Sequence, residues 1–159
     1  MSAPFHSHRR GGTEEDRRIY VYRNDEEVLK LCRDALRDFH DLSWSSNVVE
    51  SVTPEGDKAG TEVGAKRVLN NAFHETLHIL DDDGRYIKYS IDDGPGPVAK
   101  DAVVDYFGEV RVFPVTVPAD SGQSVVVWTS SWASESGGVH EFCDPMYRAL
   151  LADMKSHFG

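Results

Sequence analysis

Cysteine is scarce in this sequence and long apolar runs are missing, and each shortage closes off a class of protein. Two cysteines in 159 residues, Cys32 and Cys143, with no CxxC spacing, cannot build a disulfide framework or a four-cysteine metal site. No stretch approaches the ~20 apolar residues that span a bilayer; the longest strong one is Val125-Val126-Val127-Trp128. Positive charge is short as well: 17 Lys and Arg against 27 Asp and Glu give a net charge of −10. Such a surface repels phosphate backbones and anionic lipid heads, which argues against nucleic-acid and membrane partners. No glycine loop suits a phosphate, because Gly94-Pro-Gly-Pro97 is rigid and opens no convincing helix. The first eighteen residues hold no hydrophobic stretch, which reads against a signal peptide. What is present, 40% apolar residues and 13 glycines, can build a core. The expectation is a soluble, cytoplasmic, single-domain protein.

Residues 1–17, with three arginines, two histidines and an acidic cluster, read as a flexible leader, and 18–159 as one domain. Arg18-Ile-Tyr-Val-Tyr-Arg23 alternates as a strand. Asn24 is placed to cap a helix whose first turn holds Asp25, Glu26 and Glu27, where the helix dipole favours acids. Val28, Leu29, Leu31, Cys32, Leu36 and Phe39 continue at helical spacing, and a second short helical turn over 41–46 carries Trp44. The period then changes to two. Strands are predicted over 48–52, 63–69, 73–80, 85–91, 105–117 and 124–132, separated by turn formers such as Asn70-Asn71, Asp82-Asp83-Gly84 and Asp120-Ser-Gly122. Helical spacing returns over 135–158, with Phe142, Met146, Ala149, Leu150 and Met154 on one side and Pro145 kinking the helix rather than starting it. Seven antiparallel strands must curl, and one long helix can cover the concave side, leaving a cavity of the kind small molecules occupy.

Several segments stand in the order and wording of a known superfamily. Val63-Gly-Ala-Lys-Arg67, then Glu75-Thr-Leu with Asp81-Asp-Asp-Gly and Tyr86-Ile-Lys-Tyr-Ser-Ile91, then Gly94-Pro-Gly-Pro-Val98, Val125–Trp132 and Tyr147-Arg-Ala-Leu150 resemble the START/Bet v 1-like (SRPBCC) superfamily, in its polyketide cyclase/dehydrase-like branch. The resemblance covers residues 18–158. It implies an α+β helix-grip fold: a seven-stranded curved antiparallel sheet wrapped on a long C-terminal helix, with two short helices and an internal cavity. The chain lacks the long gate loop and the His-Arg-Leu latch of abscisic-acid receptors, which argues against that branch.

His74-Glu-Thr-Leu-His78 spells the HExxH of zinc proteases, which works only on a helix, where i and i+4 share a face. Here it lies in a predicted strand, where the two histidines would stand roughly 13 Å apart with Glu75 pointing the other way. Asp81–Asp83 and Asp92-Asp93 lack calcium-ligand spacing. No metal and no cofactor is therefore expected. Alternation puts Glu75 inward with Phe73, Leu77 and Ile79, where burial should raise its pKa into a useful range for proton transfer. Arg67 is its natural partner. A two-residue turn at Asn70-Asn71 would pair Lys66 with Glu75; a three-residue loop would pair Arg67 with it, and the parity of Val63, Ala65, Arg67 and Leu69 favours the second. Tyr89 and Tyr106 should also face the cavity. The superfamily pattern turns Trp128, Ser130 and Trp132 inward, and Trp44 is expected to close one end.

The candidate catalytic set is thus Glu75, Arg67, Tyr89 and Tyr106, and the candidate ligand wall is Trp44, Leu69, Leu77, Ile91, Trp128, Ser130, Phe142 and Met146. The resemblance implies a cyclase, aromatase or dehydratase acting by proton transfer on a hydrophobic, carbonyl-bearing, polyketide-like substrate. The alternative is a non-catalytic carrier of a hydrophobic small molecule or lipid. A third reading fills the cavity with aromatic side chains and leaves the outer sheet face, with Tyr86, Lys88 and His74, to assembly, for instance as a homodimer.

Overall fold

Short turns between alternating segments pair each strand with its neighbour in the chain. The computed structural model describes residues 13–22 and 25–158. Its strands are β1 (Thr13–Tyr22), β2 (Val52–Glu55), β3 (Lys66–Leu69), β4 (Phe73–Asp81), β5 (Tyr86–Asp93), β6 (Val104–Pro114) and β7 (Ser124–Ala133). They form one seven-stranded sheet in the order β1-β7-β6-β5-β4-β3-β2, with every pairing antiparallel. Helix α1 (Asp25–Leu31) runs into a π-helical turn at Cys32–Leu36, a 3₁₀ turn follows at Ser43–Ser45, and the long helix α2 is Val139–Phe158. This is the helix-grip fold. None of these helices is long and apolar enough to cross a membrane.

The 4-4-3-4 spacing of Cys143, Tyr147, Leu151, Met154 and Phe158 gives α2 one buried stripe. That stripe and its flanks lie on the inner face of the sheet. Phe142 meets Phe73 of β4 with ring centroids 6.3 Å apart, Tyr147 meets Trp128 of β7 at 5.2 Å, and Phe158 meets Trp44 of the 3₁₀ turn at 6.2 Å. Each such side chain contributes about 1.5–3 kcal/mol of burial. Pro145 lies inside α2, as expected, but the helix starts at Val139 rather than at residue 135. Gly137 and Gly138, at φ 73° and 83°, hold a left-handed turn that no helix can include.

Other boundaries move for identifiable reasons. β1 begins at Thr13, so residues 13–17 belong to the sheet and not to a leader, while residues 1–12, Arg23 and the expected cap Asn24 lie outside the described residues. The charged run hid a strand because two of its charges are internal: Asp16 and Arg18 are buried and pair with each other. The strand predicted over 48–52 is instead a turn, since the amides of Val48 and Val49 both bond back to the Ser45 carbonyl, and β2 starts at Val52. β3 is shorter than predicted because Gly64, at φ 93°, bends the chain, and Val63 is exposed rather than inward. In β4 a β-bulge between Leu77 and Ile79 resets the alternation, so Ile79 turns outward and Leu80 inward.

Candidate functional site

The three-residue loop at Asn70–Ala72, with Asn70 and Asn71 both at φ 53°, sets the β3–β4 register so that Arg67 faces Glu75 and Lys66 faces Thr76. Both side chains of the Arg67–Glu75 pair turn inward and are buried. Arg67 Nε donates to Glu75 Oε2 at 2.7 Å, and its Nη2 lies 2.7 Å from the same oxygen. Its Nη1 donates to the Phe39 carbonyl at 2.7 Å, and its guanidinium sits 3.7 Å from the Phe39 ring centroid. Glu75 Oε1 receives no hydrogen bond among the described residues. Burial raises the Glu75 carboxyl above its ordinary value, against the opposing pull of Arg67.

The pair forms the polar end of a cavity of about 70 Å³ between the sheet and α2. That volume holds only a few waters at ~10–15 Å³ apiece. Of the candidate site residues, the structure brings Leu69, Ile91, Trp128 and Met146 together with Arg67, Glu75 and Tyr89 around it. Tyr106, Trp44, Leu77, Ser130 and Phe142 are near it in the fold but do not line it. Trp44 packs under the end of α2, and Phe142 against Phe73. Leu77 is core, at 1% exposure, and Ser130 is wholly buried behind the wall. Sequence reasoning missed Tyr147, Val48, Val49 and Leu150 as wall residues, and Asn70, whose side chain bonds the backbone of Val48, Glu50 and Ser51 to shape that wall. Periodicity marks Tyr147 as a helix residue and says nothing of which strand it meets.

Three hydroxyls converge on the wall. Those of Tyr89 and Tyr147 are 3.1 Å apart, those of Tyr106 and Tyr147 2.8 Å, and Trp128 Nε1 donates to the Tyr89 oxygen at 3.1 Å. Burial lifts all three phenols well above the ordinary tyrosine range, so they stay protonated. Burial likewise pushes the Cys143 thiol on the cavity wall up to about 11, which makes it a poor nucleophile.

His74 and His78 are confirmed on a strand. His74 neighbours Glu55 at 3.7 Å, His78 bonds Ser90 Oγ at 2.8 Å, and Glu75 turns to the other face. Among the described residues, a metal-compatible cluster is formed by Asp16, His140 and Asp144. A cation already sits in it. Arg18 reaches Asp144 at 2.6 Å and Asp16 at 3.2 Å, so the guanidinium supplies the charge a metal would bring.

The chain matches the family model described as "Polyketide cyclase / dehydrase and lipid transport" over residues 26–159. A solved structure from Nitrosospira multiformis is 34% identical, with a TM-score of 0.82, over 91% of this chain and 96% of that one. Norcoclaurine synthase from Thalictrum flavum, solved with dopamine and hydroxybenzaldehyde, shares the fold at 13% identity and a TM-score of 0.66, covering 91% of this chain and 86% of its own. Ginseng major latex-like protein 151 from Panax ginseng does so at 14% and 0.69, covering 92% and 97%. No curated protein matches. With the model spanning nearly the whole domain and the Nitrosospira relative agreeing over almost its full length, the chain belongs to the polyketide cyclase/dehydrase and lipid transport family of the START/Bet v 1-like (SRPBCC) superfamily.

Proposed function

We propose that this protein is a cofactor-independent enzyme that moves a proton next to a carbonyl of a hydrophobic small molecule held between the sheet and α2. The carrying observation is Glu75: a buried carboxyl on the wall of an apolar cavity, with one oxygen committed to Arg67 and the other bearing no hydrogen bond among the described residues. Burial raises the pKa of that carboxyl, which makes it a stronger base than a free carboxylate. Oε1 takes the proton from the carbon beside the carbonyl, the electron pair passes to the carbonyl oxygen, and hydroxyl donors on the wall hold the resulting enolate. Orientation by the wall supplies much of the rate. A cyclase, aromatase or dehydratase of polyketide-like compounds uses this step, and so does simple enolisation.

The test uses acetophenone, a ring-sized ketone, in D₂O, with exchange at its methyl carbon followed by NMR. The protein should accelerate exchange and Glu75→Gln should lower the rate at least tenfold with the fold intact. Equal rates in the two proteins remove Glu75 from the mechanism. The carrier reading has support in the lipid transport named in the family's description; tight binding of the ketone with no exchange decides for it. Mass spectrometry of the purified protein, native and then denatured, would name any ligand that travels with it.

A further inference from the structure

The two edges of the sheet are built differently. β2, at one edge, has only four residues and carries Pro54, and both features keep an edge from pairing with another chain. β1, at the other edge, has ten residues without proline, lysine or bulge, and its register with β7 runs unbroken from Thr13↔Ala133 to Tyr22↔Ser124. Such a strand leaves a row of backbone donors and acceptors on its far side, where no strand pairs with it among the described residues. Inward-pointing charges can also protect an edge. Here the inward Asp16 and Arg18 are already buried and paired with each other, and Arg18 is held by Asp144 as well.

The charges of β1 are ordered by sign: Glu14-Glu15-Asp16 comes first and Arg17-Arg18 follows. An antiparallel copy of the same strand reverses that order. With the two-fold axis at Asp16, Glu15 stands opposite Arg17 of the partner subunit and Glu14 opposite Arg18 of the partner subunit, each pair occurring twice. Faces are matched too, since Glu15, Arg17 and Ile19 are exposed while Asp16 and Arg18 alternate inward. Opposite charges directly across two strands stabilise, and like charges destabilise. The two Asp16 carboxylates on the axis are each balanced within their own chain, by Arg18 at 3.2 Å and His140 at 2.6 Å. Moving the axis to Arg17 would set that exposed arginine against itself and keep only the Asp16–Arg18 match. Within one chain Arg17 lies 3.2 Å from Glu15, so the first register closes a ring of four exposed charges alternating in sign.

The surface beside β1 has the matching charge. A groove of about 510 Å³ lies between Arg17–Tyr20 of β1 and the side of α2 that carries Arg148 and Lys155. Among the described residues its walls hold four cations and no acid, in a protein of net charge −10. The carboxylates that reach those cations are Glu15, Asp16 and Asp144, three against four. We propose that β1 is a dimerisation edge: two copies of the chain join β1 to β1, antiparallel about a two-fold axis at Asp16, with the acidic half of each strand along the basic groove of the other. Because like faces meet, the axis stands perpendicular to the sheet. One sheet then runs through both subunits, with both α2 helices and both cavities on the same side.

The test is sedimentation equilibrium of the full chain. The wild type should dimerise. Arg17→Glu sets acid against acid across the axis, and Glu15→Arg sets base against base, so each should weaken the dimer at least tenfold. Both side chains are exposed, so both variants should keep the wild-type circular dichroism. An equimolar mixture of the two variants should recover the wild-type affinity within threefold, as a heterodimer in which every reversed charge again meets its opposite. The double variant with both reversals in one chain should recover it as a homodimer. Amides of residues 13–19 should also exchange more slowly as the wild-type concentration rises. A wild type that is monomeric at every concentration overturns the proposal. So does a dimer that the reversals leave unchanged or the mixture fails to restore, which would put the contact on another surface, such as the outer face with Tyr86 and Lys88. A monomeric wild type that binds poly-glutamate, with the binding lost in Lys155→Glu, also overturns it and gives the groove to an acidic segment of another protein.

Discussion

Arg67 and Glu75 separate what a buried ion pair does for stability from what it does for chemistry. Removing one partner strands the other: Arg67→Met alone should cost about 3–5 kcal/mol in urea unfolding, since Glu75 would be left buried without its counter-charge. Replacing both, as Arg67→Met with Glu75→Leu, should be neutral or stabilising by about 1–4 kcal/mol, because neither charge then needs desolvating. The same double variant should lose the ketone exchange. If it keeps the exchange, the pair is structural. The pH dependence has a definite sign. Glu75 holds its proton more tightly folded than unfolded, so its stability contribution is complete below its ordinary value of 4.5 and is lost as the pH rises through its elevated native value. Subtracting the urea midpoints of Glu75→Gln from those of the wild type at each pH should therefore give a difference that declines across that window; a rising difference would mean that Arg67 outweighs burial. This pair was legible in the sequence because parity and loop length are local. Arg18 was not, since its partner Asp144 is 126 positions away and no periodicity links an edge strand to a helix face.

Among the elements, β6 and β7 were readable because their alternation is regular, whereas β2 and the start of β1 were hidden by side-chain hydrogen bonds that a binary pattern does not register. The segment before β2 is the clearest case. Val48 and Val49 look like a strand, yet Ser45 Oγ and Asn47 Nδ2 both donate to the Asp153 carboxylate of α2, at 2.8 and 2.9 Å, and tie the turn to the helix. That anchor holds one wall of the cavity. Asp153→Ala should cost about 1–3 kcal/mol for the unpaired donors it leaves, and should raise amide exchange at Val48 and Val49 before the rest of the fold opens. Exchange that rises uniformly would place the anchor in the global fold instead. On β6, Gly108→Ala should destabilise by about 1–3 kcal/mol through overpacking against Tyr89.

At the scale of the whole molecule, a net charge of −10 bears on how a ligand arrives. The field repels anions on approach, so under the proposed function the favoured entrant is a neutral carbonyl compound whose charge develops only inside, beside Arg67 and the Tyr89 hydroxyl. A cavity of about 70 Å³ is also tight, so anything larger than one ring enters only as the wall yields. The yielding side is α2, where the unbranched Met146 can change rotamer at little cost. Leu150 offers a way to close that space without touching a polar group. Leu150→Phe should leave the unliganded melting temperature within about 4 °C, equivalent to roughly 1 kcal/mol at this size, because its added atoms enter space the fold leaves unfilled. In the wild type, acetophenone at one hundred times its Kd should add about 2.7 kcal/mol, or about 5–11 °C. Leu150→Phe should remove most of that shift. A variant that melts as the wild type and still shows the full ligand shift would put the bound ring somewhere other than between Glu75 and α2.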